Sequence, residues 1–171
     1  MSVTIPTIHT DRLVLRGPKI DDFEPLCEYF QDPRSAYNGG PLGQNEVWGV
    51  LLKNMGQWHL LGHGLWHITE AGADRYIGFV GIFHPRDWPE PELGYGIMAD
   101  FEGKGLASEA VIAARSAAAA HFGFDHLPSY IAPNNARSKA LAERTGAVFE
   151  AEIELRGDTA HLYRHPKQEA A

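Results

Sequence analysis

The chain has 171 residues, of which 44% are hydrophobic and 22% charged, and it carries a formal net charge of -7. That length is enough for one domain, expected to span residues 1–171, with a substantial core needing no metal or crosslink. The acidic balance without clustered Lys and Arg argues against a nucleic-acid partner, and no uncharged apolar run approaches the length of a membrane span.

Met1 to Thr10 has no basic stretch followed by an apolar core, so no export signal is expected and a cytoplasmic location is. Leu13, Val14 and Leu15 read as a first strand; Ile20, Phe23, Leu26, Cys27 and Phe30 then recur at helical spacing. Cys27 is the single cysteine, which excludes an internal disulfide and suits a reducing compartment; within a periodic apolar segment it reads as packing. The glycine- and proline-rich stretch from Asp32 to Asn45 reads as a loop long enough to shape a binding site, with Tyr37 to Pro41 at its centre. A second helix follows through Val47, Val50, Leu51, Asn54 and Trp58.

From Gly64 the period changes. Leu65 to Thr69, Tyr76 to His84 and Glu92 to Met98 are rich in β-branched and aromatic residues and read as a three-stranded antiparallel meander. Ala107 to Phe122 is the clearest helix, alanine-rich and closed by Gly123. A strand at Ser129 to Ala132, a helix from about Asn135 to Thr145, and strands near Val148 to Leu155 and Thr159 to Tyr163 complete the order. This pattern predicts an α+β fold, with about seven strands in a mixed, mostly antiparallel central sheet and helices on both faces.

Gly103-Lys104-Gly105-Leu106-Ala107-Ser108 lies between a strand and the long helix. A helix start presents unpaired N–H groups and partial positive charge, and glycines let a phosphate approach the backbone. The spacing is not that of a nucleotide P-loop, since Met98 stands at its first glycine position, and a dinucleotide fingerprint would need parallel strands. Taken alone, the turn reads first as a plain strand-to-helix connection.

Its neighbourhood resembles the GNAT acetyltransferases, particularly the branch containing the ribosomal-protein N-terminal acetyltransferases. The resemblance rests on Thr10-Asp11-Arg12-Leu13-Val14-Leu15-Arg16, on Gly39-Gly40-Pro41 with Trp48, on Gly64-Leu65-Trp66, and on Ile77-Gly78-Phe79-Val80-Gly81. Glu92-Leu93-Gly94-Tyr95-Gly96-Ile97 with Gly103 to Ala110, and Asn135-Ala136-Arg137-Ser138, are similar to the two cofactor motifs. It departs from the family at Asp100, Glu102, Lys104 and Leu106. The two acids sit unfavourably near a phosphate site unless Lys104, Arg137 or Lys139 offsets them. The usual tyrosine acid, seven residues after Asn135, is replaced by Ala142.

The resemblance implies acetyl-CoA as co-substrate, no metal, and direct attack by an amine of a small molecule or protein N-terminus in a ternary complex, in a monomer or homodimer. The cofactor residues it implies are Ile97, Met98, Gly103, Lys104, Gly105, Leu106, Ala107, Ser108, Asn135 and Ser138. The backbone at Ile97 and Met98 is a candidate oxyanion site, although both side chains read equally as core. Glu92 is the candidate general base, or else a solvated strand-end carboxylate. Ser138 is expected to bond the cofactor or protonate the departing thiolate, and Asn135 to serve the pantetheine, the helix cap, or both. Tyr37, Trp66 and Trp88, with Phe83, are candidate acceptor-pocket walls, or core. His59, His63 and His67 would share a helical face, but Gly62 and Gly64 interrupt that helix. The competing function is a catalytically silent acyl-CoA sensor of the same fold.

Overall fold

A computed structural model describes residues 3–168. Strands β1 (Ile8–His9) and β2 (Leu13–Arg16) lead through a 3₁₀ turn, Ile20–Asp22, into helix α1 (Phe23–Gln31). After a second 3₁₀ turn, Pro33–Asn38, come α2 (Gln44–Leu61), β3 (Leu65–Glu70), β4 (Tyr76–Phe83) and β5 (Glu92–Ile97). A third turn, Ala99–Phe101, precedes α3 (Leu106–Phe122), and β6 (Pro128–Ile131), α4 (Ala136–Arg144), β7 (Val148–Leu155) and β8 (Asp158–Arg164) follow.

The expected fold class is the one formed, with eight strands among the described residues arranged as two ladders. Strands β1 to β5 pair antiparallel in chain order, and β6-β8-β7 form a second antiparallel ladder. Between β5 and β6 side chains replace the backbone ladder. The Ser129 hydroxyl donates to the Leu93 carbonyl at 2.6 Å, and the Tyr130 N–H donates to Glu92 Oε2 at 2.8 Å. The sheet is therefore divided at the strand that leads into the glycine turn.

Alternation along β4 separates two cores. Val80 packs with Leu13, Leu15, Ile82 and Leu93 against Ala110, Val111, Ala114 and Ala118 of α3. Phe79, one residue earlier, packs with Leu26, Tyr29 and Phe30 of α1 and Val47 and Leu51 of α2. Successive strand residues face opposite sides, so helices cover both faces. The alanines let α3 lie close to the strands, and each fully buried Leu or Val contributes roughly 1.5–3 kcal/mol.

Two expectations need correction. The segment from Asp32 to Asn45 is not structureless: Asp32 Oδ1 accepts the Arg34 N–H at 2.9 Å and starts the turn that carries Tyr37. Trp66 is fully buried, its ring edge-to-face with Trp58 at 5.3 Å and its indole N–H donated to the Pro6 carbonyl at 2.8 Å. It packs in the α3-side core and does not wall a pocket. The three histidines fall on different elements: His59 in α2, His63 beyond it and His67 in β3, bonded to Asp22 at 2.6 Å.

Candidate active site

The division between β5 and β6 opens a cavity of about 1120 Å³ that runs from the start of α3 to the β7–β8 hairpin. Gly103, Gly105, Leu106, Ala107 and Ser108 line one end, Ile97, Met98, Asn135 and Ser138 its middle, and Tyr37, Phe83, Trp88 and Glu92 the rest.

At the first end the helix start is open. Gly105 takes a left-handed conformation, φ +77°, and no side chain caps α3. The first turn-closing bond is Glu109 N–H to the Gly105 carbonyl at 3.1 Å, so the N–H groups just before it face outward for an anion. Asn135, by contrast, does cap α4, its Oδ1 accepting the Ser138 N–H at 3.2 Å, and the same residue lines the cavity.

The surrounding cations are arginines. Glu102 is paired by Arg34 and by Arg137, the latter at 3.1 Å. Arg144 Nε donates to the Ser108 hydroxyl at 3.1 Å, and Arg12 binds the Lys104 carbonyl at 2.8 Å while gripping Glu109. Arg137 thus approaches as expected, whereas Lys139 turns to the Pro133 carbonyl. Lys104 does not line the cavity: its ammonium lies 5.4 Å from the Phe101 ring centroid. Arg12, Arg34 and Arg144 carried no local sequence signal, because their partners are remote in the chain. An uncapped helix start and positive-φ glycines, with Arg34, Arg137 and Arg144 lining the same cavity, fit the pyrophosphate of acetyl-CoA.

In the middle, register decides which peptide groups are available. Met98 N–H donates to the Ile77 carbonyl at 2.8 Å, so it is spent on the sheet and cannot serve an oxyanion. Hydrogen-bonded pairs alternate in an antiparallel ladder, and Gly78 opposes Ile97. The Ile97 N–H therefore points away from β4 into the division. Leu93, on the same alternation, turns its carbonyl that way and accepts Ser129.

Ser138 Oγ lies 3.0 Å from the Tyr95 hydroxyl, which also donates to the Ser138 carbonyl at 3.2 Å. Burial pushes the Tyr95 hydroxyl up to about 12 against the opposing effect of the Ser138 bond, so it stays protonated. Tyr95 shares the α3 face with Leu93 and Ile97, and its alternation reads as core in the sequence. Ala142, at the usual tyrosine position, is buried.

Glu92 is 9% exposed. Burial raises its carboxyl to about 7, although the Tyr130 N–H and the Trp88 indole N–H, 3.0 Å from Oε1, oppose the shift. Trp88 is itself held edge-on to Phe83 at 5.6 Å, with the Arg156 guanidinium 4.2 Å from its ring centroid. Asp87 clamps Arg156 through bonds of 2.6 and 2.8 Å. Tyr37 reaches across to the Asn134 carbonyl at 3.4 Å.

Residues 12–148 match the family model described as Acetyltransferase (GNAT) domain. The chain belongs to the GNAT acetyltransferase family. An acetyltransferase from Agrobacterium tumefaciens is 34% identical to this GNAT protein, covers 98% of each chain and superposes with a TM-score of 0.87. An uncharacterized N-acetyltransferase p20 from Bacillus licheniformis is 29% identical over 109 residues, 61% of either chain. At the level of fold alone, RimL, a ribosomal L7/L12 alpha-N-protein acetyltransferase solved in complex with coenzyme A, matches with a TM-score of 0.73 at 16% identity, covering 95% of this chain and 98% of its own. Among the described residues of this GNAT acetyltransferase no helix is long and apolar enough to cross a membrane.

Proposed function

We propose that this GNAT protein transfers the acetyl group of acetyl-CoA to a primary amine, of a small molecule or a protein N-terminus, by direct attack in a ternary complex. The observation that carries this reading is one cavity joining the uncapped start of α3 to a buried carboxylate, Glu92, and a hydroxyl pair, Ser138 and Tyr95. The coenzyme A held by RimL on the same fold supports the donor. Cys27, alone and buried in α1, is consistent with a cytoplasmic protein.

Acetyl-CoA supplies the activated thioester. The backbone from Gly105 to Ser108, with Arg34, Arg137 and Arg144, would hold its phosphates. Glu92, ionised above about pH 7, takes a proton from the acceptor ammonium through water and leaves the free amine to attack. The Ile97 N–H would face the developing oxyanion, and Ser138 the sulfur. Tyr37, Phe83 and Trp88 wall the acceptor end, where an amine would sit against aromatic faces.

A thiol-release assay over N-terminal peptides, polyamines, aminoglycosides and amino-acid-like amines tests the function. Release above the background of acetyl-CoA hydrolysis with at least one class is expected. Protection against heat by CoA with no release from any of them would identify a silent sensor instead, and no protection would overturn the cofactor assignment.

A further inference from the structure

Gly96 lies between Tyr95 and Ile97, and a Cβ placed there would meet the Tyr29 hydroxyl at 2.3 Å. Tyr29, on α1, therefore sets its oxygen directly against the β5 backbone, beside the Ile97 N–H that the register turns into the division. The ring is fixed edge-on by Phe30 at 5.1 Å and Phe79 at 5.7 Å, and the residue lines the cavity. The Asn38 amide donates to the phenol oxygen at 2.6 Å, and the phenol hydrogen has no acceptor among the described residues. A donor whose oxygen already accepts a bond is polarised toward giving its own hydrogen. Two unspent donors, one backbone and one side chain, thus converge where the thioester carbonyl would lie.

We propose that the Tyr29 hydroxyl is a catalytic hydrogen-bond donor to the acetyl carbonyl oxygen, acting together with the Ile97 N–H. This rests on the acetyl-CoA reading above. As the amine nitrogen bonds the carbonyl carbon, the C=O electron pair moves onto oxygen and both donors hold it. When the adduct collapses, the pair on oxygen re-forms C=O, the C–S bond breaks and its pair leaves with sulfur, and the proton lost by the nitrogen passes through water to the thiolate. Tyr29 keeps its proton throughout, and burial, which raises its hydroxyl above the ordinary tyrosine range, favours that.

Tyr29→Phe retains both ring contacts and removes only the hydroxyl. With acetyl-CoA labelled with carbon-13 at the carbonyl, the infrared carbonyl band of the parent complex should lie lower than that of Tyr29→Phe, because a hydrogen bond weakens C=O. The melting temperature should not change, acetyl-CoA affinity by calorimetry should weaken by no more than about tenfold, the loss of one ground-state hydrogen bond, and turnover should fall about a hundredfold, as for loss of one oxyanion donor. Asn38→Ala, at an exposed position, should move the band part of the way. Bound acetyl-CoA with the same band in parent and Tyr29→Phe overturns the assignment, whatever the turnover. A parent that binds no acetyl-CoA overturns the acetyl-CoA reading itself.

Discussion

Glu92 accepts an indole N–H and a backbone N–H, yet its carboxyl stays raised, because enclosure costs the charged form more than two bonds restore. A base must be ionised to act, so the rate should fall as pH drops below about 7. Glu92→Gln should keep acetyl-CoA affinity, lose a hundredfold or so in turnover, and lose that acidic limb in a pH–rate profile. Near-parental turnover with the limb intact would assign Glu92 to joining β5 and β6 alone. In the proposed mechanism Tyr95 acts through Ser138, so Tyr95→Phe, which removes a hydrogen bond of about 1 kcal/mol, should lower kcat roughly fivefold. The same loss in Tyr95→Phe, Ser138→Ala and the double variant would show one coupled unit; additive losses would not.

At the scale of elements, the proposed phosphate site at the start of α3 depends on that helix end being uncapped. Gly105→Val would place a β-branched residue at φ +77°, a strained conformation for it, with its Cβ 3.4 Å from Arg12 Nη2. Calorimetry should show acetyl-CoA affinity at least about tenfold weaker, equivalent to 1.4 kcal/mol, in a protein whose circular dichroism is unchanged. The other end of the first ladder is pinned by Arg16 and Asp22, bonded at 2.7 and 2.9 Å inside the protein. Burial alone would raise the Asp22 carboxyl, but the Arg16 and His67 bonds hold it well below the usual range. Its stabilisation is present above the unfolded carboxylate value and is lost on acidification through the lower folded one. Asp22→Ala leaves the buried Arg16 guanidinium with the Asp74 carboxylate, 2.6 Å from its Nε, as its remaining counter-charge, and should cost about 2–3 kcal/mol in urea unfolding near neutral pH.

For the molecule as a whole, two buried groups at the joint between the ladders set opposing pH responses. His165 Nε2 contacts the Ser129 hydroxyl at 2.9 Å, and burial, with the nearby Arg115 charge, lowers the histidine to about 4. Between 6.5 and about 4 the unfolded chain holds a proton that the folded one refuses, so stability falls on acidification. Glu92 does the reverse. Between 4.5 and about 7 the folded state holds the extra proton, so stability falls as pH rises. The two slopes, each up to about 1.4 kcal/mol per pH unit, largely cancel where they overlap. Glu92→Gln should therefore lose stability more steeply than the parent between pH 6.5 and 4.5, read by thermal unfolding. Identical curves would mean that Glu92 does not titrate in that window.

Short-range order was legible in the residues alone. The alanine run closed by Gly123, the meander after Gly64 and the glycine turn before α3 each depend on backbone preferences of neighbouring residues, and each formed where the pattern placed it. The uncapped start of α3, where we propose that the phosphates bind, was legible for the same reason, since a row of open N–H groups needs only a local turn. What tertiary structure decided was where side chains and peptide groups point. Trp66 went to the core because Trp58 and Pro6 meet it there. The Met98 N–H was consumed by a ladder register that its own residues do not specify, while Ile97 was left facing the division. Glu102, for which the sequence offered Arg137 among three possible offsets, is neutralised by Arg137 from α4 and also by Arg34 from the turn after α1. Charge pairing and hydrogen-bond direction depend on distances between remote segments, and only the folded chain sets those distances.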